Sequence, residues 1–438
     1  MSKRGKELIK YIVPSVLSVI SIFLCTIVDG IFVGRGVGTD ALGAVNIAFP
    51  YVIFFMALVM LCVIGGMTIT SIRIGRKDIS GANISFMHSI YLCVLTSIVM
   101  TFIGIFATKN ICYALGSNEQ FIDLASDYLF YYSVFFLPCG LLMAFEAIVR
   151  TDGEPALVSI AVIVTTIVNI IGDWILIFPF KMGTKGAAIA TGVSQVMGLL
   201  VVLIHFFRKE GNLRFRIYKF DFSLVKKIIV RGIPECINQF SVPITIVMMN
   251  LNLMKYIGSV GVNAFAVISY VASFATSYFT GVTEGIQPLI GKAYGARNKK
   301  DLKYFFRCGE IISFSGAIII MVLLYLFSPT IYLLFSPDEE VIKMAVEVTF
   351  MFSIGFLAQS LNAVIASYLY STTRTKYATI INILRSFVVN VLVLTFIPLI
   401  FGGKSIWLCF TIFESIVLIV AIILRWVADK KGVFAGVE

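Results

Sequence analysis

The chain has 438 residues, 59% of them hydrophobic and only 13% charged, with 35 Lys/Arg against 24 Asp/Glu and a net charge of +11. A soluble domain carries about 25% charged residues, so a soluble fold of this chain, whose mean hydropathy is +0.97, would expose far too much apolar surface. Composition therefore excludes a water-soluble protein, and the long unbroken apolar runs exclude an outer-membrane barrel in favour of membrane-spanning helices.

In chain order, the basic stretch Met1–Lys10 leads into an apolar run over 8–33. That run is too long for a signal-peptide core and no small-residue cleavage site follows it, so it reads as an uncleaved first helix. Twelve apolar segments follow one another: 8–33, 44–71, 85–107, 121–149, 156–178, 185–207, 226–254, 262–290, 306–327, 341–370, 377–399 and 405–427. Each is long enough to cross a bilayer, for which about 20 residues suffice. The loops alternate in charge, with 27 Lys/Arg on one side and 7 on the other. The positive-inside rule then predicts an inner (plasma) membrane protein with both termini in the cytoplasm. The same alternation makes the positive charge a topology signal and a lipid contact, not a nucleic-acid site.

The two halves repeat. At a shift of 220 residues Pro14 meets Pro234, Gly38 meets Gly258, Gly65 meets Gly285 and Gly75 meets Gly295; at 221, Asn169 meets Asn390. The sequence thus predicts two six-helix lobes in the same orientation, 1–207 and 226–438, joined by a basic cytoplasmic linker at 208–225. Parallel repeats of this kind are a transporter plan, with the substrate site near the midplane.

Polar residues inside the apolar segments mark the candidate sites. Asn169 and Asp173 lie four apart in the fifth segment and share one helix face. Asp29 lies in the first segment, fifteen residues after Pro14, which can kink the helix. An Asp at the centre of a spanning helix costs on the order of 2.5–3.5 kcal/mol on insertion scales, which makes each a functional residue by default. Asp29 meets Met249 in the repeat and Asp173 meets the apolar stretch near Val393 and Leu394, so the acidic pair belongs to the first lobe alone. Two carboxylates confined in one cavity suit a group that loads and releases a proton. With Asn169 and the Thr191 hydroxyl they equally suit Na⁺, a hard cation that takes oxygen ligands. Tyr128, Tyr131, Met248, Glu284, Gln287, Gln359, Asn362 and Arg385 are candidates to line a substrate cavity, and Arg385 could pair with Glu414 across helices. The eight Cys include no CxxC pair and read as small hydrophobes, and His88 and His205 read as packed or interfacial. No phosphate-binding GxxxxGK[ST] loop, HExxH or GxSxG is present. An ion gradient, with no cofactor, remains as the drive.

The segments Val28-Asp29-Gly30-Ile31-Phe32-Val33-Gly34, Gly285-Ile286-Gln287-Pro288, Arg150-Thr151-Asp152-Gly153, Asn169 with Asp173, and Gly186 through Thr191, taken together and in order, resemble the multidrug and toxic compound extrusion (MATE) transporters. The likeness spans nearly the whole chain and is greatest to the bacterial DinF and MepA branches. It implies an all-α membrane fold of twelve helices in two pseudo-symmetric six-helix lobes. It also implies that Asp29, Asn169, Asp173 and Thr191 bind the coupling ion and that Pro14 is the helix-1 bend. The NorM branch has acidic residues in its second lobe where this chain offers Asn238, Gln239, Gln359 and Asn362, which favours coupling through the first lobe. The expected protein is a monomeric secondary transporter, not an enzyme: an H⁺- or Na⁺-coupled antiporter that exports amphipathic or cationic compounds by alternating access. The alternatives are a lipid-linked oligosaccharide flippase of the same superfamily shape and a dedicated metabolite exporter.

Overall fold

The computed structural model describes residues 3–119, 121–208, 211–333, 338–430, 432 and 434, with the backbone path alone for 39–42. Helices make up nearly all of it. The first half comprises α1 (Lys3–Gly36), α2 (Thr39–Gly75), α3 (Ile79–Phe106), the short α4 (Thr108–Ala114), α5 (Ile122–Val134), α6 (Phe136–Asp152), α7 (Pro155–Ile177) and α8 (Gly183–Phe207). The second half comprises α9 (Phe222–Asn238), α10 (Ser241–Tyr256), α11 (Ser259–Gly295), α12 (Lys299–Leu333), α13 (Glu339–Ser353), α14 (Gly355–Ser371), α15 (Thr375–Ile383), a π-helical turn Leu384–Val388, α16 (Val389–Phe401) and α17 (Ile406–Lys430).

Among the described residues, nine helices are long and apolar enough to cross a membrane, and two bent pairs bring the number to eleven. The seventh predicted segment is covered by α9 and α10. Where the sequence predicts single spans, the structure breaks three of them. The fourth bends by 53° between α5 and α6, and the tenth by 43° between α13 and α14. In the fourth, Pro138 lacks the N–H that would bond Val134, so the helix parts between them. In the seventh, Pro243 likewise cannot bond Gln239, where α9 gives way to α10. The helices α1, α2 and α11 run past the predicted ends, and α1 continues unbroken through Pro14.

The chain forms two compact units, Met1–Cys236 and Ile237–Glu438. In the first, α7 packs most extensively against α8 and α1. Small residues let α7 and α8 approach closely, as is usual where lipid supplies no hydrophobic drive between helices. A methyl group added at Gly172 would meet the Ala190 side chain at 3.1 Å, and one at Gly198 would meet Thr165 Oγ1 at 2.1 Å. The core of the second unit is apolar and aromatic, with Phe265, Phe279, Phe352, Phe356, Phe410 and Phe413 buried together.

The stretch after α8 is strapped to the first unit. Asp152 Oδ1 accepts from the Asn212 backbone and side-chain amides (3.0 and 3.2 Å), and its Oδ2 accepts from the Leu213 N–H (3.1 Å) and pairs with His205 Nε2 (2.9 Å). Asn83 Oδ1 accepts from Arg214 N–H, Tyr91 Oη from Tyr218 N–H, and His88 Nε2 from Asp221 N–H. Phe215 inserts among Phe86, Phe145 and Phe206. His205 therefore has an acidic partner that sequence proximity did not reveal, because Asp152 lies on another helix. Leaving buried backbone N–H groups unsatisfied costs roughly 1–3 kcal/mol each. Asp152→Ala should therefore release the strap, and tryptic cleavage after Arg214, Arg216 or Lys219 should speed up by about tenfold or more. Unchanged cleavage kinetics would show that Asp152 does not hold it.

Candidate functional site

Polar contacts run up the seam between α1 and α7 in register. Near the start of both helices, the Pro14 carbonyl accepts from Ser18 Oγ (2.9 Å) and Ser159 Oγ (2.6 Å), and the two hydroxyls lie 3.0 Å apart. Further along, Cys25 Sγ donates to Asn169 Oδ1 (2.8 Å). One turn on, about 5.4 Å along the axis, the carboxyls of Asp29 and Asp173 stand close enough to interact directly. Contact positions rise together along both helices, so α1 and α7 run parallel. The Asn169 amide also donates to Thr191 Oγ1 on α8 (3.3 Å), and Thr191 donates to the Ala187 carbonyl (3.0 Å). Asp173 is wholly buried, and among the described residues no donor reaches Asp29 Oδ1 or either Asp173 oxygen. Tyr128 is buried beside the pair and within its electrostatic reach.

A carboxyl pair of this kind is chemically incomplete. Unit charges about 4 Å apart repel by ~4 kcal/mol at an effective dielectric of about 20. Each buried oxygen without a donor adds a desolvation cost. A proton or a small cation between the carboxyls offsets both terms.

The second unit holds a different polar cluster beside a cavity of about 230 Å³. Arg385 lies in the π-helical turn, a feature frequent at functional sites. Its Nε donates to Glu414 Oε1 (2.8 Å) and its Nη1 to Asn238 Oδ1 (3.2 Å). Asn362 Nδ2 donates to the Glu414 carboxylate (2.8 Å) and to its backbone carbonyl (2.9 Å). Gln359 Nε2 donates to Thr276 Oγ1 (3.1 Å). Hydroxyls from Ser241, Thr245, Ser269 and Ser273 and the rings of Phe265, Phe352 and Phe410 complete the cavity wall.

The MatE family model matches residues 14–175 and 234–396, so that both matched stretches begin at a proline, Pro14 and Pro234. The chain belongs to the MATE family. It is accordingly a multi-pass membrane transporter and not an enzyme. The multidrug export protein MepA of Staphylococcus saprophyticus is 27% identical over 453 residues, covering 98% of this chain and 97% of the relative. In fold the chain is similar to a crystal structure of MATE in complex with MaL6 (TM-score 0.92, 21% identity, 98% and 96% covered). It is also similar to a MOP superfamily transporter from Pyrococcus furiosus (TM-score 0.91, 20% identity, 98% and 97% covered).

In this MATE protein Asp29, Asn169, Asp173 and Thr191 come together on α1, α7 and α8, with Tyr128 beside them. Of the other cavity candidates, Gln359 and Arg385 line the second-unit cavity. Asn362 lies behind it, bonded to Glu414. Met248 packs against the apolar core of the second unit and does not face the cavity. Glu284 and Gln287 lie on α11 away from the cavity wall; Gln287 is buried and its Nε2 has no partner among the described residues. Tyr131 is half-buried, with its ring against Phe130. The sequence reading misses one participant: Cys25 reads as a packing cysteine, although it lies four before Asp29, as Asn169 lies four before Asp173. The expected pairing of Arg385 with Glu414 is present, and Glu414 supplies the second unit with a carboxylate from α17, outside the stretches compared with the NorM branch. Arg385 neutralises it, and the side chains are only 12% and 1% exposed. Removing one member of such a pair strands a buried charge at a cost of about 3–5 kcal/mol. Arg385→Met should therefore lower the apparent Tm in detergent by several degrees, and the Arg385→Met/Glu414→Gln double variant should recover most of the loss. Equal destabilisation by the single and double variants would contradict the pairing.

Proposed function

We propose that this protein is a cation-coupled multidrug exporter of the cell membrane. It moves amphipathic, often cationic, organic compounds out of the cytoplasm in exchange for H⁺ or Na⁺ by alternating access. Its termini are cytoplasmic and it works as a monomer. The relatives named multidrug export protein support the substrate class. One observation supports the coupling: Asp29 and Asp173 face each other in the α1–α7 seam with buried oxygens that no donor satisfies among the described residues.

In this reading an inward-moving cation occupies the carboxyl pair and drug leaves. Release of the cation to the cytoplasm restores the pair. Coupling can be no larger than the difference in cation affinity between the two states. The membrane potential adds roughly 2.3 kcal/mol per charge per 100 mV. A lipid-pyrophosphate flippase would need a free intramembrane cation, whereas Arg385 is engaged by Glu414 and Asn238.

The test is uptake of a fluorescent cationic dye into inverted membrane vesicles, with pH and Na⁺ gradients imposed separately. Wild type should accumulate dye under a gradient. Asp29→Asn and Asp173→Asn should lose nearly all of that uptake while inserting and unfolding like wild type. Full uptake by either correctly inserted variant would overturn the assignment.

A further inference from the structure

The two units carry the same seam contact in two chemical forms. Cys25 and Thr245 stand 220 residues apart, and Asn169 and Asn390 stand 221 apart, within the register of the internal repeat. In the second unit, Asn390 donates its Nδ2 to Thr245 Oγ1 (2.7 Å), and the buried Asn390 Oδ1 has no partner among the described residues. In the first unit the carboxamide is turned the other way. Its oxygen accepts from the Cys25 thiol, and its nitrogen goes to Thr191. A thiol is a poor acceptor of N–H bonds but can donate, whereas a hydroxyl accepts readily. A thiol at this position thus goes with an asparagine whose oxygen faces it, and a hydroxyl with one whose nitrogen faces it, Thr191 taking the amide nitrogen in the first unit.

We propose that Cys25 is a positioning residue that sets cation selectivity, by committing the Asn169 oxygen to the thiol and so withholding a neutral ligand from Na⁺. The inference rests on the assignment of Asp29 and Asp173 as the coupling pair. A hard cation is best held by several oxygens at once. With Asn169 Oδ1 engaged by the thiol and the Thr191 hydroxyl by both Asn169 and Ala187, Asp29 Oδ1 and both Asp173 oxygens are the buried side-chain oxygens of this cluster left without a partner among the described residues. A proton needs only those; Na⁺ needs more, and the neighbour on its remaining side is a soft sulfur. Selectivity for protons is thus built into a side chain that is not itself a ligand. The second-unit arrangement shows what a hydroxyl does at the same position.

Cys25→Thr copies the second unit, and Cys25→Ser provides a smaller change should threonine impair insertion. Two readouts are taken: the Na⁺ concentration for half-maximal dye uptake, and the rise in apparent Tm of purified protein in NaCl over choline chloride at equal ionic strength. The second depends on ion binding and not on transport. Wild type should show no Na⁺-specific stabilisation. The hydroxyl variants should gain it, with the Na⁺ requirement for transport lowered by about tenfold or more. Adding Asp29→Asn should abolish that gain. If both hydroxyl variants insert and respond to Na⁺ no better than wild type, or if wild type already responds as they do, Cys25 does not set selectivity. Survival of the gain in the Asp29→Asn background would equally overturn it, by placing the ion elsewhere. Failure of the underlying reading has a separate signature: Asp29→Asn alone would then transport dye as wild type does.

Discussion

Two carboxyl groups set against each other in a helix seam, with no donor to their buried oxygens among the described residues, constrain the rest of the first unit. Their mutual repulsion would part α1 from α7 unless other contacts held the helices together. Those contacts lie along the same seam: the two serines on the Pro14 carbonyl, then the Cys25–Asn169 bond. Gly172 on α7 and Gly198 on α8 let these two helices approach closely, and Thr191 takes the Asn169 amide. The carboxyl pair is thus held by its surroundings in an arrangement that only a proton or a cation completes.

The second unit shows how the same repeat behaves without that constraint. The positions corresponding to Asp29 and Asp173 fall at Met249 and near Val393 and Leu394, all buried in its apolar core. Its own carboxylate, Glu414, is answered on every side by Arg385, by Asn362 and through Arg385 by Asn238. A closed ion pair changes little as ions come and go; an open carboxyl pair responds to them. Divergence between the repeats has thus left an open carboxyl pair in the first unit and a closed ion pair in the second, where the cavity beside Arg385 has a hydroxyl and aromatic lining.

Much of this was legible in the sequence because membranes simplify the reading. Hydropathy gave the twelve spans, since each must be apolar for about 20 residues, and the cost of an intramembrane acid marked Asp29 and Asp173. The breaks at Phe135 and Gln239–Phe240 were less visible, because a proline within a helix can kink it, break it or, as at Pro14, leave it continuous. The choice depends on whether neighbours rescue the freed backbone groups. Partnerships across helices were least legible. His205 with Asp152, and Asn362 with Glu414, are 53 and 52 residues apart, and no periodicity within one helix predicts them. Cys25 was hidden by its composition class, since a buried cysteine is ordinarily only a small apolar side chain.

The energetics of the α1 seam bear on how an ion could move it. Pro14 removes one backbone bond within α1, the helix continues unbroken through it, and the Pro14 carbonyl is tied to α7 through Ser159, with Ser18 beside it. Each such hydrogen bond contributes on the order of 0.5–1.5 kcal/mol net. A bend of α1 that broke the serine contacts and the Cys25–Asn169 bond would therefore cost a few kcal/mol. Neutralising the carboxyl repulsion changes the energy of the seam by a similar amount, as does one charge crossing 100 mV at roughly 2.3 kcal/mol. The contacts that hold α1 against α7 are thus of the same size as the repulsion between the two carboxyls they hold together.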